Sequence, residues 1–429
     1  MSETSEISTS QKCPAWWRVI GPALITACVV FGPGSLLVSA NIGAKHGYEL
    51  LWMLVMTAVL MGTYMTMAAR IGVVGGATPC TLIAQRLGRP MAILIGGNLF
   101  LICGAFQFGN NLAFAAAAGT LAPNVGEHWI LFGLNGAIIL FLFLAKHIYR
   151  ILERTMKVMV GVILVCFALN VVLAGPSPGG ILKGFIPHLP REVSLGLPSR
   201  VAGEIQDPML LIASLLGTTF SVAAAFFQGN LVRERGWTIK EYKQGIGDSI
   251  AGVAVLSTVS AIIMITTATV IAGKKSDDVG VLAQSLQPLL GPAAYVMFCV
   301  GLLAVSMNPF LINAMLGGTV LADGLGKPAR LSDSWPRRLT VALLLVGMTV
   351  ALLALRTGEK PVKLIIFGQA LTVLGNPLMA GVLLWLANRK DVMGEKQNRL
   401  IHNILGGIGF LVVLFMAIRI LILIVLKLR

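Results

Sequence analysis

The sequence predicts an all-α polytopic membrane protein, and its composition and the length of its apolar runs lead to that class. Of the 429 residues, 56% are hydrophobic and only 12% are Asp, Glu, Lys or Arg, which is about half the charged share of an average soluble protein. The apolar residues recur in runs near the length of about 20 residues that a helix needs to cross a bilayer. The composition excludes a soluble enzyme with a small membrane anchor. It also excludes any large extramembrane domain.

Eleven apolar runs, each bounded by charged residues or by Gly and Pro clusters, predict eleven transmembrane helices. The predicted spans are 19–43, 49–70, 91–119, 129–146, 153–174, 207–232, 246–272, 291–321, 338–356, 361–386 and 401–427. An odd number of spans places the two termini on opposite sides of the membrane.

The basic residues predict the orientation of these spans. With the N-terminus inside, 21 Lys and Arg residues fall in cytoplasmic segments and 11 in outer segments, a bias typical of inner-membrane proteins. The net charge of +15 does not indicate nucleic acid, because that reading requires a basic face on a soluble module. The first 20 residues also lack the apolar core and cleavage site of a secretory signal. We therefore expect an integral protein of a bacterial inner membrane with a cytoplasmic N-terminus.

Two predicted spans are interrupted near their middle by residues that disfavour a helix. The first span contains Gly32, Pro33, Gly34 and Ser35, and the sixth contains the Gly-Thr-Thr-Phe-Ser segment Gly217–Ser221. Taken singly, each is compatible with a proline kink or with ordinary hydroxyl hydrogen bonds inside a helix. Their spacing of five helices matches transporters built from inverted repeats, whose interrupted helices form the substrate site. Both helices are therefore predicted to be unwound near the membrane midplane.

The matched interruptions divide the chain into five regions. These are a cytoplasmic tail at 1–18, a first repeat of five helices at 19–174, an outer loop at 175–206, a second repeat of five helices at 207–386, and a loop with the eleventh helix at 387–429. The outer loop is rich in Pro and Gly, so we expect it to form an irregular cap.

Two long segments resemble the Nramp family of divalent metal-ion transporters. They are GPALITACVVFGPGSLLVSANIGAKHGYELLWMLVMTAVLMGTYMTMAARIGVVGG, which includes the first span, and FGQALTVLGNPLMAGVLLWLANRKDVMGEKQNR, which includes the tenth. The likeness extends over nearly the whole chain. It implies a LeuT-like fold with two inverted five-helix repeats, unwound first and sixth helices, and a central site that opens alternately to each side.

The metal-binding motifs of the family are replaced in this sequence. Its Asp-Pro-Gly-Asn motif in the first helix corresponds to Gly32–Ser35, so the carboxylate is missing, and its Met-Pro-His motif in the sixth corresponds to Ser221–Ala223. Of the ligand side chains that the resemblance implies, Gln369 in the tenth helix remains. The acidic and His residues of the family's proton pathway also have no counterparts, and the third helix carries Gln107, Asn110 and Asn111 instead.

The residues that remain predict a neutral polar site. All 18 carboxylates and all five histidines fall in the tail, in loops or near helix ends, and a divalent cation in the membrane interior without a countercharge is costly. The predicted substrate-binding residues are Gly32, Gly34, Ser35, Ser39, Thr218, Thr219, Ser221, Gln369 and Asn376, with Gln107, Asn110, Asn111 and Gln228 as further lining candidates. Each hydroxyl is equally compatible with a helix-packing hydrogen bond. For Gln107, Asn110 and Asn111 the packing role is favoured, because the third helix faces the site only in part. We assign no metal ligand.

These observations favour a secondary transporter that works by alternating access. The resemblance implies a metal ion as cargo, whereas hydroxyls, amides and the positive ends of half-helices better fit a small neutral or anionic solute. A sensor built on the same frame is a further alternative, disfavoured by the short segment after the last span. No catalytic motif, catalytic residue or cofactor is predicted. The expected partners are a small solute or ion and the lipid bilayer, and a monomeric state is left open.

Overall fold

The computed structural model describes residues 31–144, 146–191, 193–201, 204–274 and 278–428. The N-terminal tail and the N-terminal half of the first predicted span, residues 19–30, lie outside these residues. In the first half, the helices are α1 (Pro33–His46), α2 (Leu51–Val74), α3 (Pro79–Leu87), α4 (Arg89–Leu121), α5 (Glu127–Leu144), α6 (Lys146–Ala174) and α7 (Pro178–Gly184).

The second half follows a two-stranded hairpin, β1 (Ser199–Val201) and β2 (Glu204–Gln206), which pairs antiparallel with Ser199 opposite Gln206. Its helices are α8 (Leu210–Thr219), α9 (Val222–Glu234), α10 (Ile239–Val270), α11 (Val279–Ala283), α12 (Gln287–Leu290), α13 (Ala294–Gly324), α14 (Ser334–Leu355), α15 (Pro361–Leu371), α16 (Asn376–Asn388), α17 (Lys390–Met393) and α18 (Leu400–Leu428). Short 3₁₀ turns lie at Gln284–Leu286, Gly291–Ala293, Thr372–Gly375 and Gly394–Lys396.

The described residues contain eight helical segments that are long and apolar enough to cross a membrane. They are Leu51–Val74, Arg89–Leu121, Leu210–Glu234, Ile239–Val270, Val279–Gly324, Ser334–Leu355, Pro361–Asn388 and Leu400–Leu428. Two shorter apolar stretches, Glu127–Leu140 and Gly161–Ala174, correspond to the predicted fourth and fifth spans. With the N-terminal half of the first span outside the described residues, the count of eleven stays a prediction.

The outer loop differs from the irregular cap that its composition predicts. It contains α7 and the β1–β2 hairpin, and it is tied to the helices around it. The indole nitrogen of Trp52 in α2 donates a hydrogen bond to the carbonyl oxygen of His188 at 2.8 Å. Glycine and proline therefore punctuate this loop but do not make it structureless, because a helical turn and a hairpin need only short favourable stretches between them.

Helix starts follow the local sequence. Proline occupies the first turn of α1, α3, α4, α15 and α16, where its missing N–H is no loss. Thr238 and Glu241 form a capping box at the start of α10, which satisfies N–H groups that would otherwise be free. These residues mark where six of the helices begin.

Two groups of helices meet around α15. The long helix α4 packs against α13, α14 and α15, while α1 packs against α10 and α8. Because α15 also packs against α8 and α1, the first, third, sixth and tenth predicted spans meet in one region. This meeting point contains the candidate site.

Candidate functional site

The described part of the first span begins at the predicted interruption. Gly32 is extended, with φ −107° and ψ 168°, and α1 starts at the next residue, Pro33. The carbonyl oxygen of Gly32 accepts the amide of Leu36 at 3.3 Å, so Gly32 is the N-cap of α1. Gly34 and Ser35 lie in the first turn of this helix, and the N-terminal half of the span lies outside the described residues.

The sixth span is interrupted over two residues, fewer than the sequence predicts. α8 ends at Thr219, Phe220 and Ser221 are not helical, and α9 begins at Val222. The hydroxyl of Ser221 accepts the amide of Ala224 at 3.4 Å and so caps α9. Ser221 therefore lies at the positive end of a half-helix, which favours negative charge or an acceptor nearby.

The hydroxyls of Thr218 and Thr219 are engaged within their own helix. Both donate to the carbonyl oxygen of Leu215, at 3.0 Å and 2.6 Å. These are the local hydrogen bonds that Thr commonly forms with the preceding turn. The sequence grouped Thr218, Thr219 and Ser221 as one set of binding hydroxyls, but two of the three have intrahelical partners.

The tenth span has an interruption that the sequence analysis missed. It was predicted as one helix, yet α15 and α16 are separated by the 3₁₀ turn Thr372–Gly375. A stretch of 3₁₀ helix inside a span often marks a functional hinge. The dipeptide of Asn376 and Pro377 directly after Gly375 was the available signal, since Asn-Pro and Gly favour turns.

Gln369 fills the space where the interrupted spans meet. It lies in α15 just before the 3₁₀ turn and is 1% exposed. A Cβ at Gly34 would lie 2.3 Å from the Cδ of Gln369, and one at Gly109 in α4 would lie 2.6 Å from its Nε2. A Cβ at Gly217 in α8 would lie 2.3 Å from its backbone oxygen. Glycine is needed at all three positions for these close contacts. We call the region formed by Gly34, Gly109, Gly217 and Gln369 the Gln369 crossing.

Three polar atoms near these interruptions are buried without a hydrogen-bond partner. They are the amide oxygens of Gln369 and Asn376 and the hydroxyl of Ser39. The amide nitrogen of Asn376 donates to the carbonyl oxygen of Phe220 at 3.5 Å, so this side chain reaches the break in the sixth span. A buried polar group without a partner is costly, and a bound ligand or water can satisfy it.

The amide residues of α4 form a separate chain of hydrogen bonds. The amide nitrogen of Gln107 donates to the carbonyl oxygen of Phe310 at 2.5 Å, and its amide oxygen accepts from Asn110 at 3.1 Å. Asn111 donates to the backbone oxygen of Gln107 at 2.8 Å and accepts from Asn135 in α5 at 2.7 Å. This chain joins α4 to α5 and α13, so these residues have a packing role in this structure.

The remaining predicted residues, Gln228 and Ser35, both belong to the helix group that contains α1 and α10. Gln228 in α9 donates to the hydroxyl of Ser249 in α10 at 3.3 Å and therefore faces α10. Ser35 is buried in the first turn of α1, close to Gly34 and the Gln369 crossing. Of the predicted residues, the structure brings Gly34 and Gln369 together, and it links Asn376 to the break before Ser221.

Charged residues are absent from the crossing within the described part of the chain. No group of three or more His, Cys, Asp or Glu residues that could hold a metal ion occurs among the described residues. Asp323, near the end of α13, accepts hydrogen bonds from Thr78, Thr81 and Asn230 at 2.8–3.1 Å. It joins the ends of three helices and does not reach the crossing.

An ion pair that sequence reasoning missed holds the outer loop against the last helix. Arg419 lies inside α18 and is 0% exposed. Its guanidinium donates to the backbone oxygens of Leu195 and Gly196, at 3.0 Å and 2.7 Å, and to the carboxylate of Asp207 at 2.5 Å. A charge within a membrane helix needs such a partner, and the signal was the lone arginine inside an otherwise apolar run.

Comparison with known proteins places this architecture among membrane transporters. Residues 23–423 match the family described as Nramp, natural resistance-associated macrophage protein-like. The chain is 26% identical to the divalent metal cation transporter MntH of Deinococcus radiodurans over 90% of this chain and 85% of that protein. It is 25% identical to MntH of Chromohalobacter salexigens over 92% of this chain and 89% of that protein.

Two solved structures share the fold. The manganese transporter of Eremococcus coleocola superposes with a TM-score of 0.74 at 20% identity, over 97% of this chain and 90% of that one. The inward-facing form of Mhp1 superposes with a TM-score of 0.51 at 14% identity, over 100% of this chain and 96% of that one. The predicted LeuT-like fold class is confirmed, and the sixth helix is interrupted at Phe220 and Ser221 as described above.

Proposed function

Because the chain belongs to the Nramp family, we propose that it is a secondary transporter that works by alternating access at the Gln369 crossing. It is an integral membrane transporter and not an enzyme. The observation that carries the mechanism is that Gln369 contacts Gly34 and Gly217, which lie beside the interruptions of the first and sixth spans. Interrupted helices can change their relative orientation without breaking a continuous ladder of hydrogen bonds.

The chemistry of the crossing supports a cargo other than a transition metal carried with protons. Its groups are amides, hydroxyls and half-helix ends. Gly32 and Ser35 stand where the family resemblance implies a carboxylate and an amide. Amide side chains both donate and accept hydrogen bonds. A small neutral or anionic solute therefore fits the crossing without requiring a countercharge from the protein.

A divalent cation is the second candidate cargo, and two observations favour it. The curated relatives are named divalent metal cation transporters, and the amide oxygens of Gln369 and Asn376 are buried without partners. Oxygen atoms are the ligands that hard divalent cations accept, although neutral oxygens alone give a weak site. The two candidates differ in whether the protein must supply negative charge.

The proposed setting is a bacterial inner membrane with the N-terminus in the cytoplasm. The excess of Lys and Arg in the alternate loops supports this orientation. The five regions defined from the sequence are the proposed architecture, with the outer loop between two repeats of five helices.

Flux measurements in proteoliposomes test the proposed function. The panel compares Mn²⁺, Mg²⁺, amino acids, small carboxylates and simple anions, each with the unmodified protein, with Gln369→Ala and with Gln287→Ala, an exposed glutamine as the matched control. We expect uptake of a neutral or anionic solute that is lost in Gln369→Ala and retained in Gln287→Ala. Saturable uptake of Mn²⁺ at micromolar concentration, sensitive to Gln369→Ala, would support the second candidate instead.

A further inference from the structure

A groove lies where the sixth predicted span ends and the seventh begins. It has a volume of about 610 Å³ and is lined by residues of the α9–α10 connection together with Val73 at the end of α2. Gly236 has φ +67°, and the amide of Trp237 donates to the carbonyl oxygen of Val232 at 3.0 Å. The connection thus folds back on α9 and leaves the groove open beside two spans.

The polar edge of this groove is basic. Arg233 and Lys240 line it and are exposed, and no acidic residue is part of the lining. The neighbouring acids accept backbone hydrogen bonds, and Glu241 also interacts electrostatically with Lys240. Glu234 accepts the amide of Leu331 at 3.2 Å, and Glu241, beside Lys240, accepts the amide of Thr238 at 2.8 Å. Among the described residues, neither Arg233 nor Lys240 takes part in an ion pair.

The opposite side of the groove is mainly apolar. Ile239 is 51% exposed, and it stands with Val73 and the half-buried ring of Trp237 in the same lining. Trp commonly lies at the level of lipid head groups. Because α2 and α10 are both long and apolar enough to cross a membrane, the groove lies at the ends of two candidate spans.

We propose that this groove binds the phosphate head group of an anionic phospholipid. Arg233 and Lys240 contact the phosphate, and an acyl chain lies against Ile239 and Val73. Basic pockets between the cytoplasmic ends of membrane helices bind anionic head groups in this way. Since Arg233 belongs to α9, the half-helix after the break in the sixth span, a bound lipid links this half-helix to the ends of α2 and α10.

Lipid retention by the purified full-length protein tests this site. Native mass spectrometry in detergent counts bound phosphatidylglycerol and phosphatidylcholine for the unmodified protein, for Arg233→Gln/Lys240→Gln and for Lys390→Gln/Lys396→Gln. The last variant removes two exposed basic residues from another predicted cytoplasmic loop. Thermal unfolding without added lipid confirms that each variant is folded.

We expect the unmodified protein to retain phosphatidylglycerol in preference to phosphatidylcholine. Loss of two basic contacts should lower the affinity for phosphatidylglycerol by about tenfold or more, while Lys390→Gln/Lys396→Gln keeps it. Equal loss in both variants, or no loss in either, would overturn the site. Displacement of the lipid by millimolar inorganic phosphate would also overturn it, because the groove would then recognise a soluble phosphate.

Discussion

Gly34 and Gly217 both contact Gln369, but they contact different parts of it. A Cβ at Gly34 meets the end of the flexible side chain, whereas a Cβ at Gly217 meets the backbone oxygen. Gly217→Ala should therefore destabilise the protein by about 1–3 kcal/mol, the usual range for overpacking. Gly34→Ala should mainly displace the Gln369 amide, with a smaller loss of stability and a clear loss of transport.

Chemical denaturation and flux measured on the same preparations separate these two outcomes. Gly97→Ala in α4 is the matched control, because a Cβ added at Gly97 would have no atom of another segment within 4 Å. Equal loss of stability in Gly34→Ala and Gly217→Ala would show that the glutamine side chain is as fixed as the backbone.

Arg419 and Asp207 form a buried pair whose separation should be costly. The two side chains are 1% and 0% exposed, and removal of one partner of a buried ion pair typically destabilises by about 3–5 kcal/mol. We expect this loss for Arg419→Gln and for Asp207→Asn, measured by denaturant unfolding. Arg86→Gln, which breaks the more exposed pair with Asp391 at 3.0 Å, should change stability by less than about 1 kcal/mol.

A double-mutant cycle with Arg419→Met and Asp207→Leu tests the pairing directly. The double variant should be more stable than the sum of the two single losses predicts, because no buried charge is left alone. Additive losses would show that the two residues act independently.

At the scale of elements, the interruption of the sixth span should be visible in hydrogen exchange. The amides at the start of α9 lack partners from a preceding turn, apart from the bond of Ala224 to Ser221, and such amides exchange faster than those in a helix interior. Mass spectrometry should find the segment 221–223 exchanging much faster than 262–266 in α10. Equal protection of the two segments would mean that the sixth span is continuous.

The sequence predicted the interrupted elements where residue type alone disfavours a helix. Gly32 and Pro33 mark the start of α1, and Ser221 marks the start of α9. The 3₁₀ turn before Asn376 was missed because the apolar run is continuous there and proline is tolerated in a first helical turn. Hydropathy reports the length of a span and not a local change in its helix type.

The sequence also identified the polar residues within the predicted spans, but not their partners. Thr218 and Thr219 bond to Leu215, and Gln107 bonds to Phe310, more than 200 positions along the chain. The first kind of contact is always available to Thr in a helix, and the second depends on tertiary packing. For this reason the sequence could name Gln369 but could not distinguish it from amides that only join helices.

At the scale of the whole molecule, the distribution of titratable groups predicts transport that does not depend on protons. Among the described residues, the buried acids and histidine lie at helix ends: His46 ends α1, Asp323 lies near the end of α13, and Asp207 precedes α8. No such group adjoins Gln369 in the described residues. Uptake in proteoliposomes should be unchanged when a pH gradient is imposed or collapsed.

A pH-sensitive dye in the lumen provides the control for this prediction. It should report no proton influx in step with uptake of the cargo. Uptake that requires an inward proton gradient, with matching acidification of the lumen, would show that protons enter by a route that the described residues do not reveal.

The central claim is that the crossing is too weak a site for a transition metal because it lacks a carboxylate. Calorimetry with Mn²⁺ on the unmodified protein tests it most directly, with Gly32→Asp as a positive control. A Cβ added at Gly32 would lie 3.5 Å from Pro309, an ordinary van der Waals contact. A charge-assisted contact of about 1.5–3 kcal/mol should raise affinity at least tenfold. We predict no binding at micromolar Mn²⁺ without this substitution. Micromolar binding by the unmodified protein that Gln369→Ala or Ser35→Ala abolishes would contradict the claim.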